Sequence, residues 1–281
     1  MNLADLRESL SEEMRAVMAP EFRVLPIETT SAPNLEDPCI TYANLDAREM
    51  KCRTIETCVL HIDIRQSTKL TLKHQLSTLA KLYSCFVRMM ARCGSYYGGQ
   101  VRSIAGDRLM VVFDAEECFP KAINTAVLMN SVSRFVLNTN YPRNKVRCGI
   151  GIDYGKMFVI KAGVRRAGQD NADYKSLVWL GRPANIASKL TDAANQTYGG
   201  TCGAPSPPTP PILVTESVWK GYVRFRSANA TGQVGKWCSI GIGVPGYFGK
   251  IHGGNILNRV FIPRKQPPPK VVPKDPRLRW R

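Results

Sequence analysis

Two aspartates close apolar runs in this chain: Asp63 ends Cys58-Val-Leu-His-Ile-Asp, and Asp107 ends Val101-Arg-Ser-Ile-Ala-Gly-Asp. A buried strand that stops on a carboxylate leaves an acid at the end of a sheet. Two such ends brought together concentrate negative charge and call for a cation partner. Hard Mg²⁺ or Mn²⁺, two per site, would take oxygen ligands from both carboxylates and from phosphate, the arrangement of phosphoryl chemistry on metal-bound triphosphate. Taken singly, Asp63 also reads as a turn or cap residue and Asp107 as an ordinary Gly-Asp turn.

The residues around each aspartate restrict the fold further. Alternating apolar residues up to Asp63, then Ile64, Arg65, Gln66, Ser67 and Thr68, predict a strand passing through a short turn into a helix. Unpaired N–H groups and the positive dipole at that helix start favour anionic oxygens, so residues 65–68 are candidate triphosphate contacts. Around Asp107, Gly98-Gly99 and Gly106 precede Leu109-Met-Val-Val-Phe113, the pattern of a hairpin whose turn carries the carboxylate. A third element, Leu180-Gly-Arg-Pro-Ala-Asn185-Ile-Ala-Ser-Lys189-Leu190, opens a helix with Pro183 in its first turn. Asn185 and Lys189, at i and i+4, then share one face.

In this order the three elements resemble the class III nucleotidyl cyclases, the adenylate and guanylate cyclase catalytic domains, from about residue 55 to 195. The resemblance implies an α/β fold of the α+β kind, a ferredoxin-like, palm-type domain with a mainly antiparallel sheet packed by helices. It makes Asp63 and Asp107 the metal-binding pair and Ile64 the residue whose carbonyl also touches metal. Asn185 matches the asparagine that orients the ribose, and Lys189 stands where the family has an arginine for the reacting phosphate. Lysine supplies a point charge in place of a planar fork, and phosphate accepts either cation.

The base-reading positions depart from the family pattern. Ser103 stands where adenylate cyclases carry lysine and guanylate cyclases glutamate, and Val178 where they carry aspartate or threonine, or cysteine. Neither purine edge meets its usual partners, and unpaired base groups cost orders of magnitude in discrimination. Among subgroups, the chain resembles the bacterial pyrimidine cyclases of the antiphage system called Pycsar, which are short and stand-alone. Asp37-Pro-Cys-Ile-Thr-Tyr42 is similar to the segment before their core. That resemblance implies 3′,5′-cyclic UMP or cyclic CMP as product, read by a downstream effector that the cyclase does not itself bind. Tyr42 and Trp179 are candidates to narrow the slot for a smaller base, although each also reads as core or anchor. Ser103 can donate or accept, so it suits uracil and cytosine alike.

A chain of 281 residues suffices for one sizeable α/β core. The expected layout is an N-terminal helix and extended linker over 1–54, a catalytic domain over 55–263 and a basic, proline-rich tail over 264–281. No run approaches the roughly 18 apolar residues of a membrane span, and the first residues, with Asp5, Glu8, Glu12 and Glu13, do not resemble a signal peptide. A soluble, cytoplasmic protein is expected. Nine cysteines without a CxxC pair fit reduced thiols. The net charge of +17 lies in part in the tail, where seven Lys or Arg face one Asp. That surplus reads as a solvated arm and a lure for anionic nucleotide rather than a nucleic-acid site.

Along the chain, Leu3, Leu6, Leu10, Met14 and Val17 predict an amphipathic helix docked on the domain or on a second subunit. Residues 20–54 read as linker. Leu72, Leu76, Leu79, Tyr83, Phe86 and Met90 predict one long helix, and another spans about Glu117 to Val136. Arg147–Tyr154 and Met157–Ala162 read as a hairpin, residues 196–211 as a mobile loop, and Ile212-Leu-Val-Thr as a strand entering a short helix. In the family the aspartates and the Asn–cation pair come from different subunits, so the resemblance implies a homodimer with composite sites and a nucleoside triphosphate substrate. The alternatives are an adenylate cyclase with atypical base contacts and a non-catalytic nucleotide- or nucleic-acid-binding domain of the same fold.

Overall fold

The computed structural model describes residues 2–141, 145–163, 175–196, 208–226 and 233–263. The basic tail and most of the expected loop after residue 196 lie outside the described residues. Elements run α1 (Leu3–Met18), β1 (Arg23–Glu28), β2 (Glu49–Ile64), α2 (Ser67–Lys73), α3 (Leu76–Tyr96), β3 (Gln100–Ala105), β4 (Arg108–Val112) and α4 (Cys118–Val132). Next along the chain are α5 (Asn138–Asn140), β5 (Cys148–Ala162), β6 (Ser176–Leu180), α6 (Arg182–Ala193), β7 (Ile212–Thr215), α7 (Glu216–Phe225) and the short strands β8 (Gln233–Val234), β9 (Trp237–Ile240), β10 (Ile251–Gly254) and β11 (Leu257–Asn258).

The sheet has the order β3-β4-β2-β5-β7-β10-β9, with β1 added to β2 and β6 to β5. It is mainly antiparallel; the parallel pairs are β1 with β2 and β5 with β7. Side chains alternate across the long strand β2. Cys58, Leu60, Ile62 and Ile64 enter the main core with Leu82 and Phe86 of α3, Ile123 and Val127 of α4 and Val218 of α7. Ile55 and Val59 face the other way, toward Ala184 and Ala187 of α6 and toward Ala32 and Ile40. Helices thus cover both faces, and α6 has one largely to itself.

Several expectations change in register or extent. The stretch expected as linker is partly sheet: Arg23 to Glu28 pair with Glu49 to Thr54, and Arg53 holds Asp37 at 2.9 Å. Those Arg53 bonds draw the Asp37 carboxyl below its ordinary range although burial opposes them. The expected hairpin over 147–162 is one continuous strand, because Gly155, extended at φ +157, carries the backbone straight through. The expected long helix breaks at His74–Gln75 into α2 and α3. Helix α1 forms as read, capped by Asn2 and Asp5, yet it buries no residue; Leu3, Leu10 and Met14 face solvent.

Helix α6 lies unusually close to the sheet. A Cβ at Gly151 would stand 2.2 Å from the Ala187 carbonyl and 2.5 Å from the Thr191 nitrogen, and one at Gly149 would stand 2.5 Å from the Thr191 carbonyl. Backbone rather than side chain sets this contact, so it cannot relax by a rotamer change. Gly151→Ala should therefore cost about 2–3 kcal/mol, the upper part of the usual overpacking range. Gly106→Ala, at φ +62 with open space around it, should cost only about 1–2 kcal/mol of left-handed strain. Urea unfolding of the two variants checks the order; equal losses would show that α6 can shift away from β5.

Candidate active site

Asp63 and Asp107 meet because β2 and the β3–β4 hairpin are neighbours. Ile62 of β2 pairs with Leu109 of β4, so the end of β2 and the hairpin turn Gly106-Asp107 stand side by side. Gly106 adopts φ +62, which the tight turn requires. Burial first, then the Asp63 charge and the hydrogen-bonding contact with Asp63, push the Asp107 carboxyl up to about 6. Ser67, at the start of α2, offsets this by hydrogen bonding to Asp107, and also reaches Tyr83 of α3.

One oxygen of each carboxylate, Asp63 Oδ1 and Asp107 Oδ2, is buried without a protein partner. Orphaned anionic oxygens side by side, both hard donors, fit a divalent cation. Among the described residues no third His, Cys, Asp or Glu joins them, so further ligands would be backbone carbonyl, such as that of Ile64, and substrate oxygen.

The other Asp63 oxygen is taken. Arg108, the residue after Asp107, donates to Asp63 Oδ2 from Nε at 3.2 Å and from a terminal nitrogen at 2.6 Å. The same guanidinium donates to Ser188 Oγ of α6 at 2.7 Å and forms a close ion pair with Asp192. Helix α6 is held at its other end by Arg182, which lies 3.3 Å from the fully buried Asp153 and donates to the Tyr154 carbonyl at 3.1 Å. Asp153 also accepts from Thr215 at 2.7 Å.

The family described as "Adenylate and Guanylate cyclase catalytic domain" matches residues 50–197, more than half of the chain. The chain belongs to the class III nucleotidyl cyclases. A uridylate cyclase from Burkholderia cepacia is 29% identical to this cyclase over 174 residues, covering 60% of this chain and 70% of that one. A uridylate cyclase from Xanthomonas perforans is 30% identical over 201 residues, covering 69% and 75%. Among solved structures, an adenylyl cyclase from P. aeruginosa has a TM-score of 0.56 at 19% identity, covering 73% of this chain and 95% of that one. A bacterial light-regulated adenylyl cyclase has a TM-score of 0.53 at 20% identity, covering 71% and 89%. At those identities the structures speak for the fold alone.

Within one chain of this cyclase the expected site residues fall into separate groups. Asp63, Ile64, Asp107 and Ser67 stand together, and Gln66 and Thr68 are exposed at the turn into α2, with Gln66 left-handed at φ 57. Arg65 is directed elsewhere: its guanidinium donates to the Thr191 carbonyl at 3.1 Å and its backbone N–H to the Arg147 carbonyl at 2.7 Å. Ser103 is exposed on β3. Asn185 and Lys189 lie on the exposed side of α6, Lys189 donating to the Pro245 carbonyl at 2.9 Å. Asn185 sits two helical turns before Asp192, about 10 Å along the axis.

Trp179, opposite Val159, is partly buried and packs with Leu177 against the cluster of Ala32, Ile40 and Val159. Its neighbour Val178, opposite Ile160, faces the other side of the sheet. Tyr42 is half-buried beside the start of β2, where Thr41 bonds to Lys51. Twelve strand residues, about 40 Å, separate that end from Asp63. The sequence reading missed Arg108, Tyr83, Ser188 and Asp192. The spacing of Ser188 and Asp192, i and i+4 beside Asn185 and Lys189, was the available signal.

His61 lies on the same side of β2 as Asp63, and both ring nitrogens are buried without partners. Burial, then the Arg108 charge, pushes its pKa down from 6.5 to about 4, with Asp63 opposing. The unfolded chain takes up this proton first, so His61 stabilises the fold above 6.5 and that contribution is lost as pH falls toward 4. Asp107, shifted upward, works in the opposite sense over much of the same window. His61→Leu should flatten the acid loss of stability relative to wild type, measured by urea midpoints from pH 7 to pH 4; an unchanged slope would mean that His61 becomes charged within the fold.

Proposed function

We propose that this cyclase converts UTP, or CTP, to the 3′,5′-cyclic monophosphate and pyrophosphate, as a homodimer. The observation that carries the reading is the division of the site. Each chain holds the carboxylate pair at one place and the Asn185–Lys189 stripe on an outward helix face, and two chains related by a twofold axis would complete two sites at once. Support for a pyrimidine comes from Ser103 and Val178, which offer a purine none of its usual partners, and from the similarity to proteins named uridylate cyclases. The likeness to Pycsar cyclases supports a second messenger in antiphage defence, made in the cytoplasm. Among the described residues no helix is long and apolar enough to cross a membrane.

In this reading Asp63, Asp107 and the Ile64 carbonyl would hold two Mn²⁺ or Mg²⁺ ions, which lower the pKa of the 3′ hydroxyl and screen the triphosphate. Gln66, Ser67 and Thr68 would bind phosphate oxygens at the start of α2. The partner's outward α6 face would supply an amide to orient the ribose and an ammonium for charge developing on phosphate. The 3′ hydroxyl would lose its proton to solvent as its oxygen attacks the α-phosphorus, a new P–O bond would form, and the bond to the bridging oxygen would break as pyrophosphate leaves. Arg65 would act indirectly, holding the end of α6 through Thr191.

Incubating the purified protein with each of the four NTPs and Mn²⁺, with products identified by mass spectrometry, tests the reading. Cyclic UMP or cyclic CMP is expected, and cyclic AMP alone would overturn the base assignment. Asp63→Asn and Asp107→Asn should abolish turnover, and Lys189→Ala should lower it about 10²- to 10³-fold. Mixing the Asp63 and Lys189 variants should recover part of the activity, because one intact composite site forms in the heterodimer. Absence of recovery despite demonstrated subunit exchange would place both halves in one chain.

A further inference from the structure

Two carboxylates, Asp63 and Asp192, share a single guanidinium, that of Arg108. Arg108 reaches Asp63 at 2.6 Å and Asp192 in a closer pair, and touches Ser188 at 2.7 Å between them. Its two carboxylate partners differ in setting. Asp63 is 15% exposed and stands beside Asp107, whereas Asp192 is 55% exposed at the rim on α6. An arginine stays charged at any working pH, so it cannot leave the site by losing its proton. It can leave only by moving to another acceptor.

We propose that Arg108 is a positioning residue that serves as a placeholder cation: it holds Asp63 while the metal site is empty and passes to Asp192 and Ser188 when a divalent ion takes Asp63. The proposal rests on the assignment of Asp63 and Asp107 as metal ligands. The geometry suits a transfer without large motion. Nε and one terminal nitrogen hold Asp63, the other terminal nitrogen already holds Ser188, and the nitrogen nearest Asp63 is shared with Asp192. Release of Asp63 therefore leaves two acceptors already engaged. A dication beside Asp63 repels the guanidinium, and the Asp192 carboxylate offers it a compensating charge farther out.

A consequence reaches beyond the metal. Ser188 and Asp192 belong to the helix that carries Asn185 and Lys189, so the guanidinium ties the carboxylate pair to α6. In a homodimer with composite sites that helix serves the partner's site, and metal entry on one side would alter the hold on α6 that the other side uses. Both Asp63 and Asp192 bias the position of one side chain, and that shared element is the physical basis for coupling.

The experiment is Mn²⁺ binding in the absence of nucleotide, read as the free-ion electron paramagnetic resonance signal, for wild type, Arg108→Gln, Asp192→Asn, the double variant and Asp63→Asn. Arg108→Gln removes the competitor and should tighten Mn²⁺ about tenfold, the scale set by a unit charge near the ion in a partly screened site. Asp192→Asn removes the alternative acceptor and should weaken Mn²⁺ several-fold. In the double variant the Asp192 change should have no further effect, because no guanidinium remains to be displaced. If Asp192→Asn weakens Mn²⁺ equally with and without Arg108, Asp192 acts through its own charge and the placeholder role is overturned. Weaker binding by Arg108→Gln, with circular dichroism unchanged, overturns it as well. Binding that is insensitive to Asp63→Asn removes the metal assignment itself, a failure distinct from that of Arg108.

Discussion

The contact between α6 and β5 governs the site. Two glycines on β5, Gly149 and Gly151, let the backbone of α6 rest on the backbone of the strand, closer than any pair of side chains would permit. Because Gly149 pairs with Asp63 and Gly151 with His61 across the sheet, the end of α6 is placed directly over the Asp63 end of β2. The Thr191 hydroxyl donates to the His61 carbonyl at 3.1 Å and to the Ala187 carbonyl at 2.8 Å, which fixes the helix along its axis. At the other end the buried Asp153 holds Arg182. A helix clamped at both ends and seated on glycine has little freedom to slide, and that rigidity lets an exposed pair such as Asn185 and Lys189 be presented at a defined place.

The carboxylate pair makes the opposite use of the fold. Two acids at neighbouring strand ends, one of them pushed up to about 6, work against the compact state unless a cation is shared between them. Arg108 supplies part of that compensation from the residue next to Asp107, so the hairpin that creates the repulsion also carries its first relief. The buried, unpaired oxygens that remain are where a metal and substrate phosphate would complete the charge balance. Local instability of this kind is tolerable because β2 is paired with β5 from Arg53 to Ile64, with β1 and β4 along parts of its other edge, and one of its faces belongs to the main core.

Much of this was legible in the sequence, and the reasons are local. A strand ending on Asp63, the turn through Gly106 to Asp107, and the helix opened by Gly181 and Pro183 are each written in a few adjacent residues whose chemistry has one ready reading. Residues whose role depends on a distant partner were not legible. Arg108 looks like an ordinary strand residue until α6 brings Ser188 and Asp192 to it, and Asp153 looks like a polar interruption until Thr215 and Arg182 close around it. The β5 strand reads as two because Gly155 is a strong turn signal, and only its unbroken pairing with β2 from Cys148 to Val159 shows that the strand continues through it. Strand β1 was hidden among prolines, which an edge strand accepts because one side of its ladder is free.

The base positions show how far side-chain identity can mislead where register is unknown. Val178 and Trp179 are adjacent, and adjacency in a strand guarantees opposite faces. Trp179 packs against the cluster of Ala32 and Ile40 while Val178 faces the other side of the sheet, so the two cannot line one slot in one chain. At the positions that read a purine in the wider family there remain a small hydroxyl at Ser103 and an aliphatic group at Val178. Neither is the partner that adenine or guanine meets in the wider family, and purine groups left unpaired on burial would cost more than added apolar contact returns. In the proposed pyrimidine cyclase, exclusion of purines would rest on missing partners, whereas a choice between uracil and cytosine would require a donor or acceptor of fixed sense. A freely rotating serine hydroxyl does not provide one, so discrimination between the two pyrimidines has to come from a group outside these two positions, and in a composite site that group can belong to the partner chain.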